Sequence, residues 1–189
     1  MIPFDLAGEG VVLEPPVEAD VAAIAEYCTD PLFETWMATP WPYTPEHARQ
    51  FVGHVSPAGW HSGFEYTWAI RTEAGGALHG LIGLRARADD AMDIGYWLGA
   101  PHRGRGLMTR ATRVVTDWAL SPDGGARSAV LWEARVGNTA SALVARAAGF
   151  RYEGVAPGHI PGRDGAASPS WHGRRSAAAA PGPTEDWPL

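Results

Sequence analysis

A glycine-rich basic loop is the part of the chain best equipped for chemistry. Ile94-Gly95-Tyr96-Trp97-Leu98 is apolar, Arg103-Gly104-Arg105-Gly106 is basic and small, and the stretch from Leu107 onward is amphipathic. A strand therefore feeds a loop that opens a helix. The first turn of a helix carries N–H groups with no acceptor and about half a positive charge. Glycines let a backbone close on an anion with no Cβ in the way, and Arg103 and Arg105 add charge, so the arrangement suits a diphosphate. It equally suits an ordinary strand–turn–helix. Two other phosphate loops are excluded: Gly-x-Gly-x-x-Gly would need glycine at Thr109, and no Gly-Lys-Ser/Thr follows.

The elements that must position this loop are legible by period and punctuation. Strands are expected at residues 11–14, 66–70, 78–86, 92–98, 128–136 and 150–155. Helices are expected at 18–28, at 45–54 behind the Thr44-Pro45 start, at 107–120, and at 138–148 ending on Gly149. After Pro157 the pattern decays; Ser168–His172 is a possible seventh strand, at an edge because of Pro169. The order predicts an α/β fold: a mixed sheet of about six to seven strands, antiparallel then parallel, flanked by four helices. One domain, 1–175, is expected to precede a flexible tail, 176–189.

Two motifs carry a family resemblance. Arg103-Gly104-Arg105-Gly106-Leu107-Met108 resembles the acetyl-CoA signature of GNAT acetyltransferases, Gln/Arg-x-x-Gly-x-Gly/Ala, with Met108 departing at the last position. Asn138-Thr139-Ala140-Ser141 with Gly149-Phe150-Arg151-Tyr152-Glu153-Gly154 resembles the second block of the RimJ/RimL-like branch of that family. The resemblance covers Val11 to Val155. It implies a GNAT fold, acetyl-CoA as co-substrate, and direct acetyl transfer to a primary amine, either a protein N-terminus or a small molecule. The alternative is a catalytically inactive module that binds an acyl-CoA as sensor or scaffold.

The resemblance also assigns roles. Residues 103–108 would cradle the diphosphate, and Asn138 would contact CoA or simply cap its helix. The strands on either side of the loop and its helix would splay for pantetheine, with Trp97 and Leu98 offering backbone groups and an N–H near Leu98 polarising the thioester. The amine must lose a proton, and Asp93 or Glu133 on those strands is the expected base. Many relatives carry a tyrosine general acid four residues before the Gly of Gly-Phe; here that position is Ala145, so Ser141 is the candidate. Phe33, Trp36, Trp41, Tyr43, Trp60, Phe64 and Tyr66 precede the central strands, where the family forms its acceptor pocket, with Trp36, Trp41 and Tyr43 nearest to it.

Composition narrows the remaining classes. A net charge of −6, with little basic clustering beyond the Arg103–Gly106 loop and Gly173-Arg174-Arg175, argues against a nucleic-acid binder. The single cysteine, Cys28, allows no internal disulfide and fits a reducing cytoplasm. The N-terminus has no secretory pattern and no apolar run reaches membrane-spanning length, so no membrane association is expected. His47, His54 and His61 recur every seven residues, about 10.5 Å apart on a helix, too far to share a metal. Monomer and homodimer are both compatible with the sequence.

Overall fold

Strands covered on both faces read as nearly continuous apolar runs. In the computed structural model, which describes residues 2–87, 89–163, 165–177 and 186–189, β3 (Glu65–Arg71) and β4 (Gly80–Ala86) are of this kind. They sit inside one eight-stranded sheet with β1 (Leu6–Gly8), β2 (Val11–Glu14), β5 (Ala91–Leu98), β6 (Ala129–Arg135), β7 (Arg151–Pro161) and β8 (Ala167–Ser176). The spatial order is β1-β2-β3-β4-β5-β6-β8-β7. The mixed α/β architecture is as expected, with eight strands in place of six to seven.

The β5–β6 pair is parallel, and every other neighbour is antiparallel. A parallel pair needs a long crossover, which α5 (Leu107–Leu120) supplies. Leu107, Met108, Ala111, Thr112, Val115, Thr116 and Ala119 are its buried stripe, at helical spacing. With α6 (Thr139–Ala147), α5 covers Ile94, Trp132 and Phe150 on one face of the sheet. On the other face α1 (Val21–Tyr27), α2 (Pro31–Trp36) and α3 (Pro45–Gln50) bury Ile24, Phe33 and Ala48 against Ala69 and Leu81.

Three expectations are corrected. The helix behind Thr44 does not stop at His54: α3 continues through a π-helical segment, Phe51–Val55, into α4 (Ser56–Ser62), which Gly63 ends in the left-handed region at φ 72°. Pro57 falls in the first turn of α4, where a missing N–H is tolerated. With α2, the described residues thus hold six α-helices rather than four.

The pattern also does not decay after Pro157, because β7 and β8 form a long hairpin. β8 lies between β6 and β7 rather than at the edge. Pro169 stands opposite Pro157, and its carbonyl accepts from Val136 N–H, so its nitrogen faces the end of β6 and costs β7 no bond. Of the expected tail, Ser176 closes β8 and residues 178–185 lie outside the described residues. Trp187 is buried, 8% exposed, with its ring centroid 5.4 Å from that of Trp132 and 5.5 Å from that of Tyr152.

Candidate active site

Pairing between β5 and β6 runs from Ala91–Ala129 to Ile94–Trp132 and then stops. Gly95 to Leu98 and Glu133 to Arg135 therefore splay apart. The backbone direction along β5 follows from its ladder with β4. Gly99 N–H donates to His79 O at 2.9 Å, and Arg87 N–H to Ala91 O at 3.0 Å. Odd-numbered residues of β5 thus turn N–H and C=O toward β4, and even-numbered ones toward β6. Leu98 presents its N–H to the splay. Trp97 does not, because its backbone faces Leu81 of β4; Tyr96 takes that position. The Trp97 side chain packs on α1 and α2, 6.5 Å from Tyr27 and 5.3 Å from Phe33 between ring centroids.

At the end of this gap the loop presents a row of free donors. Gly104 and Gly106 adopt φ of 75° and 68°, where glycine avoids the strain other residues meet. The first helical bond of α5 is Arg110 N–H to Gly106 O, and Gly106 offers no side-chain cap. The N–H groups of Gly104, Arg105, Gly106, Leu107, Met108 and Thr109 have no acceptor among the described residues. A Cβ on Gly104 would meet nothing within 4 Å, and one on Gly106 would meet only Arg110 Nη1 at 3.9 Å, so both glycines face open space. Leu107 and Met108 bury their side chains in the core and contribute backbone alone. This surface fits an anion of diphosphate size.

The two arginines of the loop differ. Arg105 is exposed and makes no ion pair among the described residues. Arg103 is committed: Nη1 lies 2.7 Å from Asp30 Oδ2, and Nε donates to Leu98 O at 3.0 Å. Asp30 is also the N-cap of α2, accepting from Leu32 N–H. Arg103 therefore joins the loop, the end of β5 and the start of α2. Beside the loop, the His79 and His102 rings meet at a tilt of 49° with centroids 4.3 Å apart, and burial first, then nearby positive groups including Arg105, holds both below the usual imidazole range.

On the α5–α6 face of the splay, Ser141 sits in a polar chain. Asn138 Oδ1 accepts from Ser141 N–H at 3.2 Å, a helix cap. Trp132 Nε1–H donates to Ser141 Oγ at 3.0 Å, Ser141 Oγ donates to Tyr96 Oη at 3.2 Å, and Tyr96 donates to Ser141 O at 3.0 Å. Burial pushes the Tyr96 phenol far above its ordinary value, against the bonds from Ser141 and Trp132. The chain thus brings a phenol to Ser141 although position 145 is alanine. Sequence reasoning missed Tyr96 because its partner lies 45 residues away; a polar hydroxyl in an otherwise apolar strand was its only signal.

The opposite face holds the carboxylates. Glu133 alternates with Trp132 and Ala134, both buried toward α5 and α6, so it faces the α1–α3 side. Gly95 faces the same side, and a Cβ added there would meet nothing within 4 Å. Glu133 is thus the first β6 residue beyond the paired region, next to open space. Burial raises its pKa, but bonds from His159 N–H, Ile160 N–H, the His159 ring and Ser170 outweigh that and hold it below the carboxylate range. Asp93 is different. It pairs with Arg87 at 3.2 Å at the other end of β5, five residues or about 17 Å before Leu98, and it does not join the splay.

Of the expected pocket aromatics, Trp36 comes nearest. A Cβ on Gly137, in the β6–α6 turn, would lie 3.5 Å from the Trp36 ring. Tyr43 is a core residue, 9% exposed; burial first, and Cys28 second, push its phenol up to about 12. Trp41 packs partly buried on the same cluster. Arg163, in the β7–β8 turn, donates to Phe33 O at 3.1 Å and Met37 O at 3.0 Å, and Arg135 donates to Thr35 O. These bonds tie the hairpin and the end of β6 to α2, so Trp36, Glu133 and His159 share one rim.

A family model described as Acetyltransferase (GNAT) domain matches residues 11–151, so the chain belongs to the GNAT acetyltransferase family. It is an acetyltransferase with acetyl-CoA as co-substrate. Solved structures share the fold at low identity. The microcin C7 self-immunity acetyltransferase MccE, in complex with acetyl-CoA and AMP, is 19% identical over 89% of this chain and 93% of its own, with TM-score 0.76. RimL, a ribosomal L7/L12 α-N-protein acetyltransferase in complex with CoA, is 22% identical over 92% and 98%, with TM-score 0.73. Mycobacterium smegmatis RimJ, in complex with CoA-disulfide, is 21% identical over 93% and 87%, with TM-score 0.76. No match is found among curated protein sequences. No helix among the described residues is long and apolar enough to cross a membrane.

Proposed function

We propose that the chain acetylates the α-amine of a peptide or protein N-terminus, entering from the α1–α3 side of the sheet. The carrying observation is the break in pairing after Ile94–Trp132. It leaves the Tyr96 backbone and the Leu98 N–H open between the six N–H groups of the loop, which have no acceptor among the described residues, and the Glu133 carboxylate. Bound acetyl-CoA supplies the activated acetyl group. The backbone amides from Gly104 to Thr109 hold its diphosphate, with Arg105 adding charge, and the Leu98 N–H polarises the thioester carbonyl. Ser141 steadies the departing thiolate from the other face.

An α-amine supports this reading better than a lysine because its pKa of about 8 leaves a larger neutral fraction near pH 7 than one of about 10.4. The RimL relative, an α-N-protein acetyltransferase, favours the same acceptor. A cytoplasmic setting accords with Cys28, the one cysteine, being buried and free. The test is thiol release from acetyl-CoA with short peptides bearing free or blocked N-termini and with small amines. Release that needs a free peptide α-amine is the expected result. Release with small amines alone would overturn the peptide assignment, and CoA binding without release would overturn the activity.

A further inference from the structure

β7 does not run straight along β8. Pro157 stands opposite Pro169 and Pro161 opposite Ala167, so three residues on β7 face one on β8. Bulges of this kind turn groups out of the ladder. Here the bulge aims two successive N–H groups at one carboxylate oxygen: His159 N and Ile160 N lie 2.8 and 3.1 Å from Glu133 Oε1. The His159 ring closes on the other oxygen, with Nδ1 3.0 Å from Oε2. A Cβ at position 158 would overlap Ser170 Oγ and lie 2.5 Å from Glu133 Oε1, so a larger residue than glycine would displace the carboxylate or its Ser170 partner.

The two partners differ in access. The Glu133 side chain is 15% exposed, and that of His159 is 72% exposed. With its oxygens already accepting these bonds, Glu133 has little capacity left to take a proton itself. An ionised carboxylate facing Nδ1 selects the tautomer with the proton on Nδ1, which leaves the Nε2 lone pair outward. An imidazole so held is a general base of the kind used where a proton must leave near neutral pH.

We propose that His159 is the general base of the transfer, taking the acceptor amine's proton on Nε2, and that Glu133 is the positioning residue that holds Nδ1–H. The inference rests on the amine-acetylation reading. The amine nitrogen bonds to the thioester carbonyl carbon, and its proton passes to Nε2. The C–S bond breaks with its electron pair on sulfur, the thiolate takes a proton from the Ser141 side or from solvent, and His159 returns its own to water. His172 of β8 is the other ring packed against His159, with centroids 6.4 Å apart; Arg163 in the β7–β8 turn is engaged by α2 carbonyls, and Arg135 of β6 by Thr35 O.

The experiment measures kcat/KM of the full chain with acetyl-CoA and a peptide α-amine from pH 5.5 to 9.5, beside ¹⁵N NMR of the histidine rings. His159→Gln is expected to lower kcat/KM about 100-fold near pH 7, with the loss shrinking at high pH where the amine is already neutral. Glu133→Gln puts an amide N–H toward Nδ1, so the ring is expected to switch to the Nε2–H tautomer and to lower kcat/KM as well. A merely structural His159 would lower the melting temperature and leave the pH profile unmoved. Wild-type turnover that His159→Gln leaves intact, or a wild-type ring already in the Nε2–H tautomer, overturns the dyad alone. A wild-type chain that acetylates no amine overturns the acceptor reading, and the dyad with it.

Discussion

Arg103 and Asp30, 73 residues apart in sequence, form a 2.7 Å ion pair that fixes the loop before α5 to the start of α2. The arginine of the signature loop thus spends its charge on the protein. Arg103→Gln should lower stability by about 1 kcal/mol, since the pair is partly exposed. It should leave the salt dependence of CoA affinity unchanged. Arg105→Gln should do the reverse: flatten the salt dependence with little loss of melting temperature. Calorimetric Kd at two ionic strengths separates them, and a flattened slope for Arg103→Gln would return that side chain to the phosphates.

Gly104 and Gly106 combine positive φ with open surroundings. Gly106→Ala should cost about 1 kcal/mol from backbone conformation alone. A Cβ at Gly106 meets no rigid neighbour, so the extra effect of Gly106→Trp should appear in ligand binding: loss of measurable CoA affinity in a folded variant. An unchanged Kd would remove the loop from the diphosphate site.

Ser141→Ala deletes the acceptor of the Trp132 N–H and the donor to Tyr96. A stability loss of about 1–3 kcal/mol follows from the unpaired groups. If the hydroxyl also serves the leaving thiolate, kcat should fall about 10- to 100-fold with CoA affinity nearly kept. Tyr96→Phe keeps the Trp132–Ser141 bond, and a matching fall in kcat would extend the donor chain to the phenol. Turnover of Ser141→Ala equal to wild type leaves solvent as the proton source.

Acid should destabilise the fold through two carboxylates. For Asp30 the Leu32 N–H bond comes first, with Arg103 adding to it against burial; for Glu133 four hydrogen bonds outweigh burial. Both folded-state pKa values are lowered. Their stabilisation is therefore present above the unfolded carboxylate range, about pH 4, and is lost as pH falls through the folded values. Melting temperature should drop between about pH 5 and pH 3, and less steeply in Glu133→Gln. A variant that follows the wild-type curve would show that Glu133 titrates alike in both states.

The strand, glycine-rich loop and helix of the candidate site are legible because they are local. Glycine spacing, the strand before it and the helix after it all lie within Ile94 to Leu120, and the two-block resemblance placed them in a known order. The rest depends on pairing across the chain. Nothing beside Arg103 announces Asp30, and Ser141 meets Tyr96 through the β5–β6 crossover. The β7–β8 hairpin was hidden by its prolines, read singly as breakers, whereas Pro157 and Pro169 stand opposite each other and spare the ladder. His159 went unnoticed because a bulge, which no period reveals, carries it to Glu133.

The broken pairing between β5 and β6 also has a mechanical side. Four residue pairs, Ala91–Ala129 through Ile94–Trp132, rivet two half-sheets at one end, and beyond them the halves part like the blades of open shears. A co-substrate lying in that notch and bonding to both blades would act as a missing strand, so the loaded protein is knit together along a seam that the empty one leaves unstitched. Amide hydrogens of Tyr96, Leu98 and the end of β6 should then exchange with deuterium more slowly once CoA is bound, while those of β3 and β4 keep their pace.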